Sequence, residues 1–119
     1  MNIFARILPA IFVVFVCPHA YACKFPDLVP IPDGNTATES EMAAAGRAVL
    51  KYFEQYETYT ACVESETSAL RKSAVDSDIS ANRLREELAA NKINEASAAT
   101  EELAERFNEA MEAFESRSK

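Results

Sequence analysis

The sequence holds only two glycines, one histidine and no tryptophan. Two glycines cannot build a Gly-rich phosphate loop, a Rossmann turn or the many turns of a β-sandwich. Positive charge is also short. Twelve basic residues stand against 19 acidic ones, for a net charge of -7 and a pI near 4.7. Phosphate backbones are bound chiefly by Lys and Arg clusters, so this balance excludes nucleic acid as a partner. Long apolar runs are scarce as well. The run from Ile7 to Val16 is about half the ~20 residues that span a bilayer. A length of 119 residues leaves room for one small domain.

That short run has a telling context. Arg6 and the amino terminus precede it, and Ala20-Tyr21-Ala22 follows within a few residues. A basic start, a short apolar stretch and a small-x-small pattern together read as a cleaved signal peptide over residues 1–22. Cleavage is expected between Ala22 and Cys23, which places the protein in the periplasm with no stable membrane span. Cys23 at the first position after cleavage also opens a lipoprotein reading. Against it, bulky Tyr21 occupies a place where a lipobox prefers a small residue.

The leader takes with it the only His and one of the three Cys. Cys23 and Cys62 remain, and an even pair in an exported chain reads as a disulfide. The Cys/His constellations of metal centres and nucleophilic enzymes cannot be assembled from what is left. No catalytic residue, metal or cofactor is expected, and the chain is not read as an enzyme.

Residues 23–37 carry Pro26, Pro30 and Pro32, which fix φ and remove backbone donors. The segment is therefore extended, and Phe25, Leu28, Val29 and Ile31 make it too apolar for a free linker. It reads as a docked arm closed by the turn Pro32-Asp33-Gly34-Asn35, where Gly34 tolerates φ > 0. A helix over about 38–75 follows. Thr38 and Glu41 have capping-box spacing, and apolar or small residues recur at Met42, Ala45, Val49, Phe53, Tyr56, Thr60, Val63, Thr67, Leu70 and Ala74. Gly46 in its interior costs about 1 kcal/mol against Ala unless something approaches the backbone there.

Asp76-Ser77-Asp78 marks a turn over about 76–79, and a second helix is expected over about 79–117. Its stripe is Ile93, Ala96, Thr100, Leu103, Phe107, Ala110 and Phe114, with Met111 beside it. Leu84 and Leu88 fall out of phase, which predicts a break or a shift of the stripe near Asn91-Lys92. Two such helices joined by a short turn make an all-α fold: an antiparallel, coiled-coil-like hairpin with a proline-rich arm. Both stripes are modest. Either the arm covers the groove, or two hairpins pair into a four-helix bundle.

Reach decides whether the cysteines can meet within one chain. Glu39 to Cys62 is about 35 Å of helix at ~1.5 Å per residue. Pro32 back to Cys23 is about 28 Å at ~3.1 Å per residue, and the turn supplies several ångströms more. A taut arm can therefore lie back along the helix to Cys62. It would cross Tyr52, Tyr56 and Tyr59, an aromatic face suited to a proline-rich segment.

Two acidic patterns invite sharper readings. Asp76, Asp78 and Glu87 imitate part of a calcium loop, but Ala81 stands where the loop needs Gly. Glu64 and Glu66, Glu86 and Glu87, and Glu101, Glu102 and Glu105 are acids on helices, ordinary for solvated faces. Neither pattern is read as a site.

Cys23, Pro30-Ile31-Pro32-Asp33-Gly34, Thr36-Ala37-Thr38, Glu41-Met42, Tyr59-Thr60-Ala61-Cys62 and Ala104-Glu105-Arg106-Phe107-Asn108 form a series. In that series the chain resembles a family of small exported proteins of Gram-negative bacteria. Their pattern is C…IPDG-x-x-AT…EM…Y-x-x-C…A-x-RFN, and the resemblance covers essentially the whole chain after the leader. It implies export and architecture but assigns no site. The expected role is a non-enzymatic binding or structural one in the bacterial envelope, through an envelope protein partner or self-association. The alternative is a lipid-anchored protein of the same fold, attached through Cys23.

Overall fold

The computed structural model describes residues 22–73 and 79–119. The leader, apart from Ala22, lies outside them, as do Ala74 and the turn residues Asp76, Ser77 and Asp78. Among the described residues all regular structure is helical: α1 spans Glu39–Ser73 and α2 spans Ile79–Arg117.

Local chemistry explains where α1 begins. The Thr38 backbone N–H and hydroxyl donate to Glu41 Oε2 at 2.7 and 2.9 Å, and the Glu41 N–H donates to Thr38 Oγ1 at 3.2 Å. This is the reciprocal capping box, which satisfies two donors that the first turn would otherwise leave open. Just before it, the Asp33 carbonyl accepts from the N–H groups of Thr36 and Ala37 at 3.0 and 2.8 Å. Asp33 Oδ1 also accepts from the Asn35 backbone and side chain at 2.9 and 3.0 Å. The turn is thus closed from both the main chain and the side chain.

The helices pack against each other through three apolar clusters. Met42 meets Ala110 in the first, Val49 and Tyr52 meet Leu103 in the second, and Tyr59 and Val63 meet Ala96 in the third. Positions rise along α1 as they fall along α2, so the two run antiparallel. In the first and third clusters large residues face an alanine, and Ala96 is 0% exposed. That pairing lets the axes approach closely.

The buried positions of α1 are Met42, Ala45, Val49, Tyr52, Tyr59 and Val63. This corrects the expected stripe, which ran through Phe53 and Thr60; both are only half-buried. Counting half-buried Tyr56, the core keeps alternating steps of three and four, whereas the expected stripe took two successive steps of four at Ala45, Val49 and Phe53. Toward the far end the core gives out, and Leu70 is 47% exposed. Nor does α2 break near Asn91-Lys92: it is continuous. Leu84 and Leu88 simply lie off the seam and stay more than half exposed. None of the described helices is long and apolar enough to cross a membrane.

Candidate functional site

The best-defined site is where the arm meets the helices. Cys23 and Cys62 are joined by a disulfide, with an S–S distance of 2.06 Å and Cα atoms 5.7 Å apart. Next along the arm, the Phe25 ring stands edge-on to Tyr59 with centroids 5.3 Å apart. Pro26 is buried, and Val29 and Ile31 pack on the Val49–Tyr52–Leu103 cluster. Leu28, between Pro26 and Val29, is 90% exposed and points away from the helices.

The arm ends in a backbone contact that the sequence did not announce. A Cβ on Gly34 would sit 1.9 Å from the Ala110 carbonyl oxygen and 3.0 Å from Ala113 Cβ. Gly34 is buried, and its φ is not in the left-handed region. Its value lies in close approach to α2, not in the turn dihedral expected above. Arg117 closes the same end by donating to the Ala37 carbonyl while lying 5.3 Å from the centre of the Phe114 ring. Nothing in the local sequence pointed to Arg117, because its acceptor is a main-chain oxygen far away along the chain.

Tyr52, Tyr56 and Tyr59 divide the work of the aromatic face. Tyr52 and Tyr59 are 2% and 6% exposed and belong to the helix–helix core as well as to the surface beneath the arm. Tyr56 is half-buried and bridges the two clusters. Burial pushes the Tyr59 phenol pKa up, and the negative charges of Glu95 and Glu66 push it the same way.

Glu66 is half-buried beside the disulfide, and its carboxylate lies within 4.8 Å of both sulfurs. Two cysteines and a carboxylate are a possible ligand set for a soft cation, but metals are ligated by thiolates, which a disulfide does not offer. The remaining acids are dispersed. Glu86 pairs with Arg71 at 2.5 Å in a solvated ion pair, and Glu64, Glu87, Glu101, Glu102 and Glu105 are exposed. An exposed pair of this kind adds little stability. Of the calcium-like pattern, Asp76 and Asp78 lie outside the described residues.

One flank of the seam is left open by the arm. A cleft of about 470 Å³ runs between the helices there, lined by Gly46, Leu50, Phe53, Ala104 and Phe107 among others. Leu50 is 63% exposed on its rim. Compared with protein-family models, curated proteins and solved structures, the chain matches none.

Proposed function

We propose that this chain is an exported, non-enzymatic module of the bacterial envelope, a coiled-coil-like hairpin that serves a binding or structural role in the periplasm. The observation that carries the reading is the Cys23–Cys62 disulfide, because such bonds persist in oxidising compartments and are rare in the cytosol. The leader pattern of residues 1–22 points to the same compartment. The non-enzymatic part rests on composition: beyond the leader the chain has no histidine, and both of its cysteines are engaged in one bond.

The lipid-anchored alternative competes for an atom. A thioether lipid on Cys23 would need the sulfur that is bonded to Cys62. A given molecule can carry one or the other. The open apolar flank around Leu50 and Phe53 supports a binding role, either for a partner helix or for a second hairpin.

Export is tested by fusing residues 1–25 to a reporter active only outside the cytoplasm; cytoplasmic retention would overturn the localisation. Intact mass of the envelope protein then separates the two forms of Cys23. The disulfide form is two hydrogen atoms lighter than the dithiol, and a diacylglycerol adduct is heavier by several hundred daltons. Sedimentation of wild type and Leu50→Glu reports the binding surface. A wild-type dimer that dissociates in the variant supports self-association; a wild-type monomer overturns it.

A further inference from the structure

We infer that the arm is a redox-released cover: reducing the Cys23–Cys62 bond detaches residues 23–31 from the groove while the hairpin stays folded. The inference rests on how unevenly the arm is held. Between Cys23 and Pro32, no backbone hydrogen bond joins the arm to either helix among the described residues. Its one polar contact among the described residues, Lys24 to Asp27 at 2.9 Å, is internal and exposed. What holds this stretch is the disulfide at one end and apolar contact from Phe25, Pro26, Val29 and Ile31.

The other end is secured quite differently. Residues 33–37 carry the closed turn, the Gly34–Ala110 backbone contact and the Arg117 bond to Ala37. Apolar contact is non-directional, and by itself it fixes neither register nor end point. Ordering each extended residue costs conformational entropy, which the covalent tie reduces by pinning one end. Removing the tie therefore frees the stretch up to Pro32 and leaves the turn in place as a hinge. The helices keep their own contacts through Met42, Val49, Leu103 and Ala110, so their pairing does not depend on Cys23.

Both cysteines are half-buried on the flank of the hairpin, within reach of a reductant. The step balances with a dithiol, of protein or small-molecule class. One thiolate of the dithiol attacks a sulfur of the bond and displaces the other as a thiolate. The second thiolate of the dithiol resolves the mixed disulfide. Cys23 and Cys62 leave as thiols, two electrons and two protons having passed from the dithiol, which departs as its own disulfide. The surface uncovered is aromatic and aliphatic, made of Tyr52, Tyr56, Tyr59 and Val49.

The test is nuclear magnetic resonance on the full exported chain, oxidised and after treatment with excess dithiothreitol. The proposal expects cross-peaks between Phe25 and Tyr59, and between Val29 and the Tyr52 cluster, to fall at least tenfold on reduction. Cross-peaks between Met42 and Ala110, and between Val49 and Leu103, should persist with helical circular dichroism unchanged. Cys62→Ser, studied without reductant, should reproduce the reduced spectrum. Persistence of the Phe25–Tyr59 cross-peaks would show that packing alone holds the arm. Loss of the interhelix cross-peaks along with those of the arm would show a staple for the whole fold. Either result overturns the proposal.

Discussion

At the scale of single residues the two glycines make opposite predictions, because one touches backbone and the other touches the end of a side chain. A methyl on Gly34 would meet the Ala110 carbonyl oxygen at 1.9 Å, a distance no side-chain adjustment can relieve. Gly34→Ala should therefore destabilise the fold by roughly 2–3 kcal/mol, the upper part of the range for overpacking, with the arm turn lifted from α2. A methyl on Gly46 would lie 3.5 Å from Phe107 Cζ, ordinary contact, on a helix that gains from Ala. Gly46→Ala should stabilise by up to about 1 kcal/mol. Urea unfolding of the two variants against wild type checks both signs at once. The composition made both glycines conspicuous, and the penalty at Gly46 was legible from its helical surroundings. The role of Gly34 was not, since its partner Ala110 lies on the other helix and leaves no trace in the local pattern.

At the scale of elements, the start of α1 was legible in detail and its buried face less so. Thr38 and Glu41 carry their own signal in their spacing, and the observed bonds follow from it. The Glu41 carboxyl is held below its usual range by the Thr38 backbone N–H and then its hydroxyl. The Asp33 carboxyl is lowered by the Asn35 backbone N–H and then its side chain, with a small contribution from Arg117. Both folded values lie below the unfolded ones. Their contribution is therefore present above the ordinary carboxylate range and is lost as pH falls through the folded values. The melting temperature should decline on acidification below about pH 4.5, and Glu41→Gln should flatten that decline. The seam was harder to read. Phe53 looks a better core residue than Tyr52, yet a repeat of 3.5 places the tyrosine inside, because each helix must keep one face toward its partner along its length. Leu103 anchors that seam at 6% exposure, and Leu103→Ala should cost about 3 kcal/mol in thermal or urea unfolding.

At the scale of the whole molecule, the disulfide was legible because reach is arithmetic: a rigid helix and an extended arm of known rise leave few alternatives. Cys23 and Cys62 are separated by 39 positions, and closing a loop of that size stabilises by about 3–4 kcal/mol in the chain-entropy account. Reduction should lower the melting temperature measurably while leaving a cooperative helical transition. What reach could not supply is where order concentrates. The arm turn, the cap of α1 and Arg117 all gather at the open end of the hairpin, while the end toward residues 74–78 carries the exposed Leu84 and Leu88 and the solvated Arg71–Glu86 pair. Amide exchange should therefore be fastest over 66–73 and 79–90 and slowest over 42–59 and 96–110, and mass spectrometry of exchanged fragments checks that gradient. The same asymmetry bears on the route to the native state. A helical hairpin ordinarily zips up from its connection, where chain ends are already close. Here the adhesive surface lies at the opposite end, so its two halves must meet across a long span of sequence before either is rewarded. For so small an all-helical chain, contact order is high where it matters, and folding is expected to be slow for its class.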